Sequence, residues 1–367
     1  MEKLGAERHR SEKACPVIVI RVYSNMTTMD VGVGSHPRNN GTPINGDNLT
    51  SDEIQLIRDY WKALGDARKQ KKVIEDMFKY VFTNFEHLKP LWAFGRKTSR
   101  CLEDLDKNPA FANHVCHVAN AITALVGFLH NPRSLLHAMN ELGTRHFFYE
   151  AIEPHYDVLQ VAFIHALHAN RPNGAAWTTA LAEAWRKAFI TAKHGMQNGL
   201  REARYQYLAT SMTAQEMVTV TSLWEKVKEH GLKEAGLSFC NAAVRSYEEL
   251  VNDCFGPGSN AAMAQRLDPS IINKFAADAM MALNAAVQSY NADIGFANLP
   301  NALAPFASEY YFTEASPILV RKALMEGLMN MMTYAVGEVA MTESVQHTWM
   351  KLYRIVEQSV IVNIISH

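Results

Sequence analysis

The chain has few cysteines and no excess charge of either sign. Five cysteines occur in 367 residues, and they are scattered: Cys15, Cys101, Cys116, Cys240 and Cys254. An odd, dispersed set argues against a secreted disulfide framework and predicts a reducing compartment, the cytoplasm. The 36 basic and 37 acidic residues nearly balance, and no basic face is visible. We therefore expect no nucleic-acid partner, while a neutral chain of this kind is free to self-associate as a homo-oligomer.

Long apolar runs are also missing. The segment "ACPVIVIRVY", residues 14–23, loses its apolar character at Arg21, so it is too short to cross a bilayer and short for a signal-peptide core. We expect no transmembrane segment. Residues 24–48 are rich in Gly, Asn, Ser and Thr, a composition that cannot bury enough surface to offset chain entropy. Residues 1–48 are therefore predicted to form a disordered N-terminal arm.

The alternating pattern of half-buried strands is absent, and helical periodicity prevails from Leu49 onward. In "LTSDEIQLIRDYWKALG" a capping Thr or Ser precedes apolar residues at spacings of three and four. We expect further helices over about 71–85 and 133–147, and a long helix between the Asn-Pro pairs at Pro109 and Pro132. The pattern predicts an all-α protein.

The helical pattern occurs twice. "LTSDEIQLIRDYWKAL" is echoed by "MTAQEMVTVTSLWEKV", and Thr50 and Thr213 each stand 11 residues before a tryptophan. Phe78 pairs with Phe239, and the offsets between matching residues stay between 160 and 163. Such a regular repeat predicts two copies of one domain. We place the copies at 49–196 and 212–367, joined by a helical linker at 197–211.

Two of the 15 histidines lie on the apolar faces of predicted helices. His114 is one turn before Val118, and His146 is one turn after Leu142. Burying two imidazoles without partners is costly, and a flat apolar cofactor with a central metal would remove that cost. The alternative is two independent core histidines bonded to the backbone. Most other histidines, including His155, are interpreted as solvated.

These residues appear in the order that is typical of the globin family, which the whole chain from Leu49 resembles twice over. Trp61 comes late in the first helix, His114 takes the distal place, and His146 ends the proximal motif "LGTRH". Their separation of 32 residues is similar to that in neuroglobin-like members. The resemblance implies two three-over-three helical sandwiches. It also implies haem b bound in the first domain, without covalent attachment because no Cys-x-x-Cys-His run occurs.

The same resemblance implies roles for individual residues. His146 becomes the proximal iron ligand, and His114 either takes the sixth position or donates a hydrogen bond to bound oxygen. The bend aromatic is Trp92 or Phe94. The complete set implied to contact the cofactor is Phe78, Trp92, Phe94, His114, Val118, Leu142, His146, Phe148, Ile152, Tyr156 and Leu159.

The second copy has lost both histidines. Alignment of the long helices puts Lys274 or Phe275 at the distal place and Ala307 at the proximal one. Tyr310 or Tyr311 offers an alternative phenolate ligand, but a degenerate, haem-free domain is the expectation. Its many methionines suit it to fill the space of a missing cofactor.

The expected function is reversible binding or transport of oxygen or another diatomic gas, or redox signalling, at the iron of the first domain. The second domain then acts as a structural or regulatory partner. Nitric oxide or peroxide chemistry with a redox partner protein is the enzymatic variant. The alternative from another class is a haem-free helical scaffold for protein interactions.

Overall fold

The computed structural model of the chain describes residues 49–97, 104–255, 269–307 and 316–366. All regular structure in these ranges is helical, apart from one isolated bridge between Asn291 and Gly295. The all-α prediction is therefore confirmed. The predicted disordered arm, residues 1–48, lies outside the described residues.

The first half of the chain contains seven described α-helices and one 3-10 segment, Glu86–Leu91. The helices are α1 Ser51–Ala63, α2 Ala67–Asn84, α3 Ala93–Lys97, α4 Pro109–Phe128, α5 Pro132–Phe148, α6 Glu153–Ala169 and α7 Thr179–Thr210. Prolines at the first positions of α4 and α5 explain their starts, because a first-turn N–H has no helical acceptor to lose. Helix α2 begins a turn earlier than predicted, since the Asp66 carboxylate accepts the Arg68 and Lys69 N–H groups.

The second half contains six described α-helices and one 3-10 segment, Glu338–Ala340. The helices are α8 Ala214–His230, α9 Leu232–Phe255, α10 Pro269–Gln288, α11 Leu299–Ala307, α12 Pro317–Val336 and α13 Glu343–Ser366. Each half has its own hydrophobic core. Buried methionines, including Met280, Met331 and Met332, contribute to the second core.

Matching contacts in the two halves support the predicted repeat. Thr50 and Thr213 each form a capping box with an acid three residues later, Glu53 and Glu216. Each acid is ion-paired to the last helix of its half, at 2.7 Å with Lys187 and 2.6 Å with Lys351.

The repeated tryptophans, Trp61 and Trp224, also make matching contacts in the two halves. The Trp61 indole donates to Thr123 of α4 at 3.2 Å, and the Trp224 indole donates to Asn284 of α10 at 2.9 Å. Each also meets a tryptophan of the last helix of its half, Trp185 or Trp349, with ring centroids 5.9 and 6.2 Å apart. The first helix is therefore fixed to the same two partners in each half.

Helices α5 and α7 pack backbone against backbone. A Cβ atom added at Gly143 would lie 1.9 Å from the Met196 carbonyl oxygen, and one at Gly199 would lie 1.9 Å from the Asn140 carbonyl oxygen. Only glycine permits so close an approach. The position of α5 relative to α7 is thus set by its glycines rather than by interlocking side chains.

Helix α7 continues without a break through the end of the first predicted domain and most of the predicted linker. Residues 197–210 are helical, and Leu200, Arg204 and Leu208 are buried. The linker segment is therefore packed between the two halves instead of being a solvated spacer. The domain boundaries at 196/197 and 211/212 stay predictions, because no break in the helix marks the first of them.

Helix α4 is long and apolar enough to cross a membrane by length and composition alone. In the structure it buries Phe111, Val115, Ala119, Leu125 and Val126 in the first core. Core helices of globular domains pass the same compositional test, so this feature carries no further conclusion.

Candidate functional site

His146 lies near the C-terminal end of α5 with its imidazole fixed by the backbone. Its Nδ1 is 2.8 Å from the Leu142 carbonyl oxygen, and because a carbonyl only accepts, Nδ1 carries the proton. Burial lowers the pKa of His146, and the bond to Leu142 offsets this only in part. The ring is therefore neutral near pH 7. Its Nε2 keeps a free lone pair and makes no hydrogen bond within the described part of the chain.

His114 lies on α4 and is held by aromatic rings alone. Its ring centroid is 5.2 Å from that of Phe78 and 5.6 Å from that of Phe94, and it forms no hydrogen bond to any described residue. Burial is the main cause that lowers the pKa of His114 to about 4, with smaller repulsion from His146 and His117. That repulsion places the two imidazoles within electrostatic range. Both are uncharged at neutral pH.

A cluster of aromatic side chains contacts His114. Phe78 is 2% exposed and meets Trp92 edge-on at 5.4 Å and Phe94 at 6.5 Å. Trp92 and Phe94 lie nearly parallel, 6.4 Å apart. Both candidates for the bend aromatic therefore belong to one cluster, and the structure does not require a choice between them.

Phe111 was not among the predicted site residues, yet it belongs to the same aromatic cluster. It meets Phe94 at 5.4 Å and Phe78 at 6.0 Å. The sequence contained the signal, because Phe111 precedes His114 by three residues and therefore shares its helix face.

The remaining predicted site residues differ in how far they are buried. Val118, Leu142 and Leu159 pack against the first core, and Tyr156 is buried with its ring centroid 6.3 Å from that of His146. Ile152 is half-buried at the start of α6 and belongs to no core cluster.

Phe148, another predicted site residue, lies on the surface. Its side chain is 62% exposed, because two residues beyond His146 on a helix is roughly the opposite face. A role for Phe148 in contacting a cofactor has no support from this placement.

His155 is buried, so its interpretation as a solvated histidine was wrong. It is 9% exposed, and its Nδ1 accepts the Ile152 N–H at 3.2 Å while Nε2 has no partner among the described residues. Burial lowers the pKa of His155 to about 3, helped by repulsion from His87. Its position at the first turn of α6 suggested exposure, but that turn is covered.

The donor set fits a haem. His146 offers an oriented Nε2 lone pair, and His114 is a half-buried imidazole without a hydrogen bond in the described ranges. The Tyr156 hydroxyl beside them is also buried without a partner. No group of three His, Cys, Asp or Glu side chains in the described ranges could hold a bare metal ion. Imidazole nitrogens of this kind are donors that hold the iron of a haem.

The second half has an equivalent place with different chemistry. Phe275 of α10 has its ring centroid 6.2 Å from that of Phe239, as His114 faces Phe78 in the first half. Lys274, the other distal candidate, is exposed and ion-paired to Asp278 at 3.0 Å. The structure therefore favours Phe275 at the distal place. Ala307 is the last residue of α11, and Tyr310 and Tyr311 lie outside the described residues.

The first half is an all-helical unit in which α5 carries an oriented imidazole and α4 carries a second one. This arrangement is typical of helical domains that bind a prosthetic group. Comparison with known families makes this specific, because the globin family model matches residues 75–196. The match runs from within α2 into α7 and includes Phe78, His114 and His146. Residues 75–196 are therefore similar to the globin family. No curated protein matches the chain significantly.

Proposed function

We propose that the first domain, residues 49–196, binds one haem b without covalent attachment and uses it to bind a diatomic gas. The observation that carries the proposal is the pair of half-buried imidazoles on α4 and α5, one oriented by a backbone carbonyl and the other held among aromatic rings. His146 would hold the iron through Nε2, which the bond from Nδ1 to the Leu142 carbonyl leaves free. Haem would supply an iron that binds oxygen or another small ligand.

His114 and the aromatic residues around it would decide which ligands the iron accepts. His114 is neutral, so its ring N–H could donate a hydrogen bond to a small ligand, or its lone pair could itself bind the iron. Phe78, Phe94 and Trp92 exclude water from the same side. If His114 is an axial ligand, external ligands must displace it, which favours redox signalling, nitric oxide or peroxide chemistry over oxygen transport.

The second domain, residues 212–367, is proposed to be a degenerate globin without haem. Phenylalanine at position 275 offers no donor to iron, and Ala307 offers none at the proximal place. Its contacts with the first domain suit a structural or regulatory partner. The competing proposal, a haem-free scaffold in both halves, predicts the same second domain and is separated from ours only by the behaviour of the first.

The experiment is hemin addition to the purified full chain, followed by desalting and an absorption spectrum. We expect a pigmented protein with one haem per chain, and a colourless native protein would refute haem binding. His146→Ala should lose the pigment. His137→Ala is the matched control, because His137 lies on the same helix with its side chain 79% exposed, and it should bind as the native chain does.

Two further spectra divide the remaining alternatives. In the reduced protein, sharp low-spin bands mean that His114 is an axial ligand, and a broad high-spin band means that it is not. Tyr310→Phe should keep the native spectrum, whereas loss of pigment in that variant would place the haem in the second domain.

A further inference from the structure

The helix that carries His146 ends in a hydrogen-bonded turn of a defined kind. The Ala151 N–H donates to the His146 carbonyl at 3.1 Å, and the Glu150 N–H donates to the Phe147 carbonyl at 3.2 Å. These two bonds form a Schellman motif, in which the residue after the cap has a left-handed backbone. Here that residue is Glu150, with φ 69°.

Glutamate is an unusual choice for this position. Glycine normally occupies it, since a residue with a Cβ atom is strained at positive φ. Glu150 is the sole non-glycine residue with positive φ in the described ranges. The turn at the helix end does not itself require a side chain at this position.

That partner belongs to the second domain. The Glu150 carboxylate is ion-paired with Arg321 of α12, and both side chains are mostly buried, at 26% and 18% exposure. Arg321 Nε also lies 3.9 Å from the Glu357 carboxylate of α13. The charge at the strained position therefore ties the end of α5 to the second domain.

A second arginine reaches the same helix end. Arg354 of α13 donates from Nη2 to the Phe147 carbonyl oxygen at 3.3 Å. Its guanidinium carbon lies 5.1 Å from the Phe147 ring centroid and 5.2 Å from that of Tyr207. Phe147 follows His146 directly, and its carbonyl already accepts from Glu150 within the turn. A cation at a helix C-terminus is also favoured by the helix dipole.

A third contact fixes the start of the next helix. Arg204 of α7 is 1% exposed and forms a two-point ion pair with Glu153, at 2.8 and 2.9 Å. Its Nε also donates to Gln358 of α13 at 3.1 Å. The segment 147–153 is thus connected to the second domain at its beginning, middle and end.

We propose that α12 and α13 of the second domain position the end of α5, so that docking of the second domain and iron coordination by His146 are coupled. This inference rests on the proposed haem binding. Arg321 and Arg354 are positioning residues that act on the iron ligand through the turn at 147–151. The partner of the haem domain is then the haem-free half of the same chain, and coupling between two such sites is reciprocal.

Hydrogen exchange on the haem-free full chain tests the mechanical part. Arg354→Met removes the donor to the Phe147 carbonyl while keeping the length of the side chain. We expect the amides of residues 149–151 to exchange about tenfold faster, the loss that one charged hydrogen bond implies. Lys351→Met is the matched control, because Lys351 lies on the same helix but pairs with Glu216 inside the second domain. It should leave these amides unchanged, and equal exchange in both variants would overturn the proposal.

Hemin addition tests the coupling. In the native chain, haem binding should slow exchange of the α13 amides around residues 354–358, and Arg354→Met should abolish that response. The spectrum of the haem-loaded protein should change in Arg354→Met and return in part in Arg354→Lys, which keeps a cation. Glu150→Gly should also shift it. Glycine accepts the left-handed backbone, so this variant removes the carboxylate and preserves the turn.

The outcomes separate this inference from the proposed function. If hemin binds but does not slow exchange of the α13 amides, and Arg354→Met and Glu150→Gly keep the native spectrum, the second domain does not control the iron ligand. If hemin fails to bind the native chain, the proposed haem binding and its proposed coupling to the second domain are both refuted. The exchange of residues 149–151 then still reports whether α13 holds the helix end.

Discussion

Replacing Gly143 with alanine would test how the helix that carries His146 is held. The added Cβ would lie 1.9 Å from the Met196 carbonyl oxygen. Ordinary contact needs about 1.5 Å more, and a carbonyl in the middle of α7 cannot rotate away. Helices α5 and α7 must therefore separate. Overpacking of this kind costs about 3 kcal/mol, the upper part of the usual range.

Gly127→Ala is the control with the opposite expected sign. Gly127 lies in α4, and an added Cβ would meet nothing within 4 Å. Alanine restricts the unfolded chain and favours the helix, so this variant should stabilise the protein by ~0.5–1 kcal/mol. The same substitution at two helical glycines should thus change stability in opposite directions.

Urea unfolding of the haem-free full chain, followed by circular dichroism, gives both values. If the two halves unfold in separate steps, the change should appear in the step that belongs to the first half. A Gly143→Ala variant as stable as the native chain would refute the close packing of α5 on α7. Loss of hemin binding in this variant would further show that the packing positions His146.

Three further predictions concern buried polar groups. Arg204→Met should cost about 3–5 kcal/mol in urea unfolding because it leaves Glu153 buried without its main partner. The double variant with Glu153→Gln should recover much of that loss, and simple additivity would contradict the pairing. Desolvation raises the pKa of Glu357 to about 7, so the native chain should lose about 2 kcal/mol of stability between pH 5 and pH 8 that Glu357→Gln does not lose. The pKa of His155, lowered to about 3 by burial, has the opposite effect. The native chain should lose about 2 kcal/mol between pH 7 and pH 5, where the unfolded imidazole binds a proton first, and an equal loss in His155→Gln would contradict this.

Periodic patterns and end signals were sufficient to predict the helices. The starts of α4 and α5 follow from their prolines, and the repeat was visible in Thr50, Thr213 and the tryptophans that follow them. These features are local, so a single sequence contains them. The histidine pair was equally accessible, because each imidazole interrupts an apolar stripe.

Long-range contacts could not be predicted in the same way. Nothing local indicates that His155 is covered, that Arg204 is buried in a predicted linker, or that Glu150 has a left-handed backbone. Each of these depends on how the second domain or a distant helix packs. Phe148 was predicted to contact the cofactor because it is close to His146 in sequence, but it lies on roughly the opposite face of the helix.

Replacement of the ligand at position 146 tests whether His146 holds the iron. His146→Gly should lose the pigment of the hemin-treated full chain, and added imidazole should restore a spectrum like that of the native protein by taking the vacated place. His137→Gly should bind hemin without imidazole. Retention of the native spectrum by His146→Gly in the absence of imidazole would contradict the assignment.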